Sequence, residues 1–309
     1  MREAEAAVST SDIVALMRDA ARSAGRLAMR WFREGEPTAA RVWTKHGSSP
    51  VTEADLEVDA YLRDKLAAAG TDFGWLSEET VDSAERLSRR HAFVVDPIDG
   101  TRGFTEGDPR WCVSIALVED GRPIAAVVHA PALGLTHEAT EHGRALLNGV
   151  PIAVSSAKAL AGARIAGPRF MLDGLAAAES GILPVAKIPS LAHRLCKVAD
   201  ASLDIGLASK QAHDWDIAAA HLIIERAGGR FTDFAGVTPS YNRETTVHGN
   251  LVAAPAASFD AVLAELGRVL GSQAKSGASG KPGRGSAAKA GVGSGSGLPN
   301  SPRAATERS

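Results

Sequence analysis

The stretch His91-Ala92-Phe93-Val94-Val95-Asp96-Pro97-Ile98-Asp99-Gly100-Thr101-Arg102-Gly103-Phe104 constrains this chain more than any other. Its front half, Phe93 to Val95, is apolar and β-branched, the pattern of a buried strand. The strand is expected to stop at Asp96, because Pro97 removes a backbone donor and is poorly placed inside a sheet. Two carboxylates follow with two residues between them, and then Gly100, which reaches backbone angles closed to other residues. Thr101 adds a hydroxyl and, with Gly100, backbone N–H groups in a turn. Carboxylates brought together without a cation repel one another and partly protonate. With Mg²⁺ they become ligands, and the Gly-Thr amides are placed to hold a phosphate oxygen. A strand ending in an Asx-type turn, with both aspartates solvated, reads the same locally. The rest of the chain has to decide.

Composition narrows the classes. A chain of 309 residues, 45% hydrophobic and 23% charged, has the make-up of a globular protein with a sizeable core. A net charge of −2 gives no reason to expect nucleic acid or a membrane as partner. No apolar run approaches membrane-spanning length, and the polar start Met-Arg-Glu-Ala-Glu-Ala-Ala has no apolar signal core. Cys112 and Cys196 lie far apart, without metal-type spacing, so no disulfide framework is expected and a reducing, cytoplasmic location fits.

Along the chain, Ser9, Thr10 and Ser11 offer caps for a helix carrying Ile13, Leu16, Met17, Ala20, Ala24, Leu27, Ala28 and Trp31 at helical spacing. Lys45 to Pro50 reads as a loop. Thr52 and Asp55 form a near capping box for a second helix, a structural reason for Asp55 that competes with any functional one. Cys112–Val118 and Pro123–His129 flank an Asp-Gly pair and read as a hairpin; Leu147-Asn148-Gly149 marks another turn between short strands. Strands are expected at Arg164–Ala166, Ser202–Leu207, Phe231–Phe234 and Leu251–Ala254. Helices are expected at Ser190–Asp200, from Asp214 and Asp216 to Gly228-Gly229, and at Phe259–Leu270. Hairpins mixed with helical crossovers give an α/β or α+β layered class. One domain over 1–271 is expected, in two halves of roughly 1–150 and 151–271. Residues 272–309, with one Leu, one Val and no aromatic residue, read as a disordered tail whose deletion should cost little stability.

Glu78, Glu79, Asp96, Asp99 and Asp216 all sit where a predicted element meets a loop. Each alone is an ordinary solvated acid. Together, with no ligand-like His or Cys cluster, they select Mg²⁺ or Mn²⁺ over Zn²⁺. Such ions polarise a phosphate and acidify a bound water, and Thr101 near Asp55 could orient that water or take its proton.

Val51-Thr52-Glu53-Ala54-Asp55, Ser77-Glu78-Glu79, Asp96-Pro97-Ile98-Asp99-Gly100-Thr101 and Trp215-Asp216-Ile217-Ala218-Ala219-Ala220, the last followed by Gly228-Gly229, resemble the inositol monophosphatase superfamily in order and spacing over roughly residues 10–270. The resemblance implies an αβαβα sandwich and a Mg²⁺-dependent phosphate monoesterase with two or three ions, for which Mn²⁺ can substitute, and sensitivity to Li⁺. It implies Glu78, Asp96 and the Ile98 carbonyl as ligands of a first ion. Asp96, Asp99 and Asp216 would bind a second, with Glu79 acting through water. Gly100 and Thr101 would hold the phosphate, and Asp55, Glu78 and Thr101 would serve catalysis. Lys45 resembles a basic residue such proteins carry upstream of the Val-Thr motif. A small phosphate ester is the expected partner, with a homodimer left open.

Two departures bear on the ester. Arg102-Gly103 follow the Gly-Thr where inositol enzymes of this resemblance have Thr-Asn, and Ser209-Lys210 stand where they place a Glu for inositol hydroxyls. Ala212-His213-Asp214-Trp215-Asp216, with Tyr241-Asn242-Arg243 and His248-Gly249, resembles bacterial 3'(2'),5'-bisphosphate nucleotidases best. Arg102, Lys210 or Arg243 would then meet a second phosphate. Inositol 1-phosphate and histidinol phosphate are the alternative esters. An aspartyl-phosphate mechanism is disfavoured, because its D-x-D-G-T signature has one residue between the aspartates and here there are two. A metal- or phosphate-binding regulatory protein without turnover is the non-enzyme alternative.

Overall fold

The computed structural model describes residues 10–44, 49–70 and 72–277; Lys45 and residues 278–309 lie outside them. The first half begins with α1 (Thr10–Ala28), the hairpin β1 (Val42–Thr44) and β2 (Pro50–Thr52), and α2 (Glu53–Leu66). Then come β3 (Phe73–Ser77), β4 (His91–Asp99), α3 (Thr101–Glu106), β5 (Cys112–Glu119), β6 (Arg122–Ala130), β7 (Leu135–Thr140), β8 (Leu146–Leu147) and β9 (Val150–Pro151). Strands β3 to β9 pair in chain order as a seven-stranded sheet, antiparallel except for β3 beside β4. The second half holds β10 (Arg164–Ala166), α4 (Arg169–Ala177), β11 (Leu183–Pro184), α5 (Leu191–Ala199), β12 (Ile205–Ala208), α6 (Asp214–Arg226), β13 (Gly229–Asp233), β14 (Leu251–Pro255) and α7 (Phe259–Gly277). Its five-stranded sheet runs β11-β10-β12-β14-β13.

Strand alternation builds the layers. Phe93 and Val95 on one face of β4 join Val113, Ile115 and Val127 against Met17, Ala24, Val58 and Leu62 of α1 and α2. Val94, Ala116 and Val128 point the other way, onto Leu195, Val198, Ile217 and Ile223 of α5 and α6. Beyond those helices lies the second sheet, whose outer face, Ile165, Leu207 and Val252, is covered by Met171, Leu175, Val262 and Leu266 of α4 and α7. The order is helix, sheet, helix, sheet, helix, the expected αβαβα sandwich. The run Ile217-Ala218-Ala219-Ala220 is buried all round because α6 lies between two sheets and has no solvent face to keep polar.

Three local features depart from expectation. β4 does not stop at Asp96. It runs to Asp99, with an irregularity against β5 between Asp96 and Asp99. β3 has already ended, at Ser77 opposite Val95, so Pro97 faces no partner there, and on the β5 side it falls inside the irregularity, where its missing N–H costs no ladder bond. The helix expected to end at Leu270 continues to Gly277, through Ser272-Gln273-Ala274-Lys275, in which nothing breaks a helix. Strands β1, β2, β3, β7 and β11 and helices α3 and α4 were not expected at all. The Asp120-Gly121 and Asn148-Gly149 turns do form, with both residues of each pair at positive φ (47° and 79°; 51° and 81°).

Candidate active site

Three carboxylates converge where β4 meets the middle layer. Asp96 and Asp99 come from the irregular end of β4 and Asp216 from the first turn of α6, and one oxygen of each lies within 4.8 Å of the others. Asp96 and Asp216 are held by nearby backbone donors and Asp99 by the start of α5. The Ile98 N–H donates to Asp96 Oδ1 at 3.1 Å. The His213 N–H donates to Asp216 Oδ2 at 2.6 Å, closing the cap of α6, where negative charge suits the helix N-terminus. Asp99 accepts from Ser190 Oγ at 2.5 Å and from the N–H groups of Leu191 (3.2 Å) and Ala192 (2.6 Å), which ties β4 to the start of α5.

Thr101 opens α3 directly after Gly100, whose φ of 92° is left-handed; a side chain there would also press on the Ser190 backbone at 3.0 Å. Thr101 Oγ1 lies 3.2 Å from Asp55 Oδ1 and 3.0 Å from the Ile98 carbonyl, two acceptors for one proton. The other oxygen of Asp55 accepts from the Thr52 N–H (2.8 Å) and Thr52 Oγ1 (2.5 Å). The capping box and the contact with Thr101 are therefore one arrangement, with each carboxylate oxygen serving one of them. Glu78 follows β3, its N–H donating to the Val95 carbonyl at 3.3 Å. The turn that carries Glu78 and Glu79 is pinned by Asp59, which accepts from Ser77 Oγ (2.5 Å) and Thr80 Oγ1 (2.6 Å).

Burial dominates the electrostatics. It pushes Asp55 and Asp99 up to about 6, and Asp96 and Asp216 well above the usual carboxylate range, with repulsion among Glu78, Asp96, Asp99 and Asp216 adding to it. A protein presenting these groups to neutral solvent needs either protons or a cation on them. The donors are all oxygens. The nearest soft group, Cys112 Sγ, is 3.9 Å from Asp99 Oδ2 and is kept a thiol by burial. This donor set fits Mg²⁺ and not Zn²⁺.

A cavity of about 270 Å³ opens over the cluster, lined by Glu78, Asp96, Asp99, Gly100, Thr101 and Asp216, with Arg102, Glu106 and Lys187 at its rim. A second, of about 450 Å³, adjoins it and shares Glu78 and Asp216; Gln211, His213 and Trp215 line it, the last two rings stacked at 4.4 Å. The fold thus brings together Asp55, Glu78, Asp96, Ile98, Asp99, Gly100, Thr101, Arg102 and Asp216. Half-buried Glu79 lines neither cavity. Nor does exposed Lys210, whose N–H donates to Asn250 Oδ1 at 2.8 Å. Arg243 is exposed beside buried Arg86, which donates to its carbonyl at 3.0 Å. The stretch around it braces α6 instead: the Asn242 N–H and His248 Nε2 both donate to Asp214, each at 2.7 Å. Sequence reasoning missed Lys187, Asp59, Ser190 and this use of Asp214. Only Ser190 left a signal, as a helix cap.

Comparison with known proteins agrees with this geometry. The model of the inositol monophosphatase family matches residues 10–269. A histidinol-phosphatase of Mycobacterium tuberculosis is 34% identical over 242 residues, 73% of this chain and 88% of that protein. A 3'(2'),5'-bisphosphate nucleotidase of Aggregatibacter actinomycetemcomitans is 31% identical over 229 residues, 67% of this chain and 81% of its own. Among solved structures, an inositol monophosphatase of Thermotoga maritima superposes with a TM-score of 0.73 at 28% identity, covering 84% of this chain and 99% of its own.

Proposed function

The chain belongs to the inositol monophosphatase family of Mg²⁺-dependent phosphatases, and from that premise we propose that it is a 3'(2'),5'-bisphosphate nucleotidase, converting adenosine 3',5'-bisphosphate and water to AMP and phosphate. The observation that carries this reading is the rim of the cavity over the acidic cluster, where two cations, Arg102 and Lys187, stand with one acid, Glu106. A cationic rim attracts a leaving group that is itself an anion. It repels the ammonium of histidinol phosphate, and the absence of a carboxylate at Ser209 removes a reader of inositol hydroxyls.

In this reading Glu78, Asp96, the Ile98 carbonyl, Asp99 and Asp216 hold two or three Mg²⁺ ions, Glu79 helps through water, and Mn²⁺ can take their place. Bound there, Mg²⁺ supplies Lewis acidity toward the phosphate oxygens and a lowered pKa for water. The residues of the chain do the positioning. Backbone N–H groups at the Gly100-Thr101 turn hold phosphate oxygens. Thr101 Oγ1 accepts a hydrogen bond from the attacking water while donating its own to Asp55, whose carboxylate is held by Thr52. Arg102 and Lys187 orient the ester from the rim.

Phosphate release with Mg²⁺ from adenosine 3',5'-bisphosphate, inositol 1-phosphate, histidinol phosphate and fructose 1,6-bisphosphate tests the reading. The nucleotide is expected to lead in kcat/KM by ~100-fold, roughly 2.7 kcal/mol of transition-state preference. A lead for histidinol phosphate or inositol 1-phosphate refutes it.

A further inference from the structure

A cavity of about 710 Å³, larger than the one over the acids, lies between α4 and the 184–187 segment and meets the first at Lys187. Its walls are mainly apolar, from Pro168, Leu172, Ala176, Pro184 and Val185, and Arg194 lines it from α5. That arginine sits one helical turn after Ser190, whose hydroxyl holds Asp99. Its Nε is buried and has no partner among the described residues, and its Nη1 reaches only the Ile188 carbonyl, at 3.5 Å. A buried guanidinium N–H left without an acceptor, on an otherwise half-buried side chain, is costly unless an acceptor arrives. The other cations differ. Arg169 is paired with Asp173 at 2.9 Å, whereas exposed Lys187 has no ion-pair partner among the described residues. Burial lowers the pKa of Arg194 from its ordinary value, and the charges of Asp99 and Asp216 only partly oppose this.

We propose that this cavity receives the leaving group of the ester, its apolar walls taking the organic body, Arg194 anchoring a second anionic group and Lys187 spanning the two cavities. The inference rests on the phosphatase reading of the acidic site and deepens it by assigning the preference for doubly anionic esters to a residue outside the shared motifs.

The test compares kcat/KM for adenosine 3',5'-bisphosphate with that for adenosine 3'-monophosphate, esters that differ only by the second phosphate, in wild type and Arg194→Met. A charge-assisted, bidentate contact predicts a wild-type ratio of ~30 or more, falling to ~3 or less in the variant. A ratio near 1 in wild type, or one unchanged by Arg194→Met, overturns the proposal. Ala176→Trp keeps the arginine and fills the cavity from an exposed wall position. It is expected to raise KM for the bisphosphate ~10-fold with kcat little changed, as loss of uniform binding does, and an unaltered KM counts against the cavity as a site. If the enzyme cleaves neither adenosine ester, the nucleotidase reading fails by itself. Arg194 is then read with fructose 1,6-bisphosphate against fructose 1-phosphate, where the same collapse of the ratio upholds the second-anion site and its absence overturns it.

Discussion

His193 shows how a single buried group couples stability to pH. It is 2% exposed, on α5, and burial, reinforced by His137 and Lys197, lowers its pKa from 6.5 to about 4. The unfolded chain therefore binds a proton that the folded one refuses, and stability falls as pH drops through this window. The shift corresponds to about 2 kcal/mol lost by pH 5 and about 3 kcal/mol by pH 4. Urea unfolding of His193→Gln, which cannot take up that proton, should show a flatter acid limb than wild type; parallel limbs would contradict the assignment. The raised carboxylates have the opposite sign. Asp55 and Asp99, at about 6, favour the metal-free fold when protonated and lose that contribution as pH rises. The gain in melting temperature on adding Mg²⁺ should therefore be larger at pH 7.5 than at pH 5.5, because protons compete with the ion; a larger gain at the lower pH would refute a carboxylate site.

At the scale of elements, the site depends on how α3, α5 and α6 present their first turns to the end of β4. Gly103 of α3 packs so closely on the loop before α5 that a Cβ there would lie 2.8 Å from the Pro189 ring. Gly103→Ala should cost about 1–3 kcal/mol by overpacking. It should also lower kcat, because Ser190, the neighbour of Pro189, holds Asp99. A variant less stable but fully active would show that this loop does not position the acids. The elements bearing Asp55, Asp96, Asp99 and Asp216 were legible because their signals are local, whereas β3, which leads into Glu78, was not. Thr52 and Asp55 announce α2, Asp216 announces α6, and Phe93–Val95 announces β4. What was not legible depends on partners far along the chain. Pro97 seemed to end β4, yet the sheet tolerates it because β3 stops first and the pairing with β5 skips it. Lys187 reaches the cavity only because Asp99 draws the start of α5 to β4 across 92 residues, and no spacing rule reports such a contact.

Over the whole molecule, the two sheets enclose α5 and α6, and the acids gather where that middle layer meets the seven-stranded sheet. The layering followed from the mixture of hairpins and crossovers, together with the resemblance carried by four motifs. The second cavity did not, because α4, which forms one of its walls, has no cap or terminator that sets Arg169–Ala177 apart in the sequence. We propose that this carboxylate cluster is a Mg²⁺ site for the hydrolysis of phosphate esters. Phosphate release as a function of Mg²⁺ concentration, in wild type and Asp99→Asn, is the decisive measurement. Asparagine keeps the shape of the side chain beside Ser190 but removes its charge, so kcat should fall by ~10³-fold or more while wild type shows saturable dependence on Mg²⁺. Near-normal turnover in Asp99→Asn, or wild-type turnover indifferent to Mg²⁺, would contradict the account.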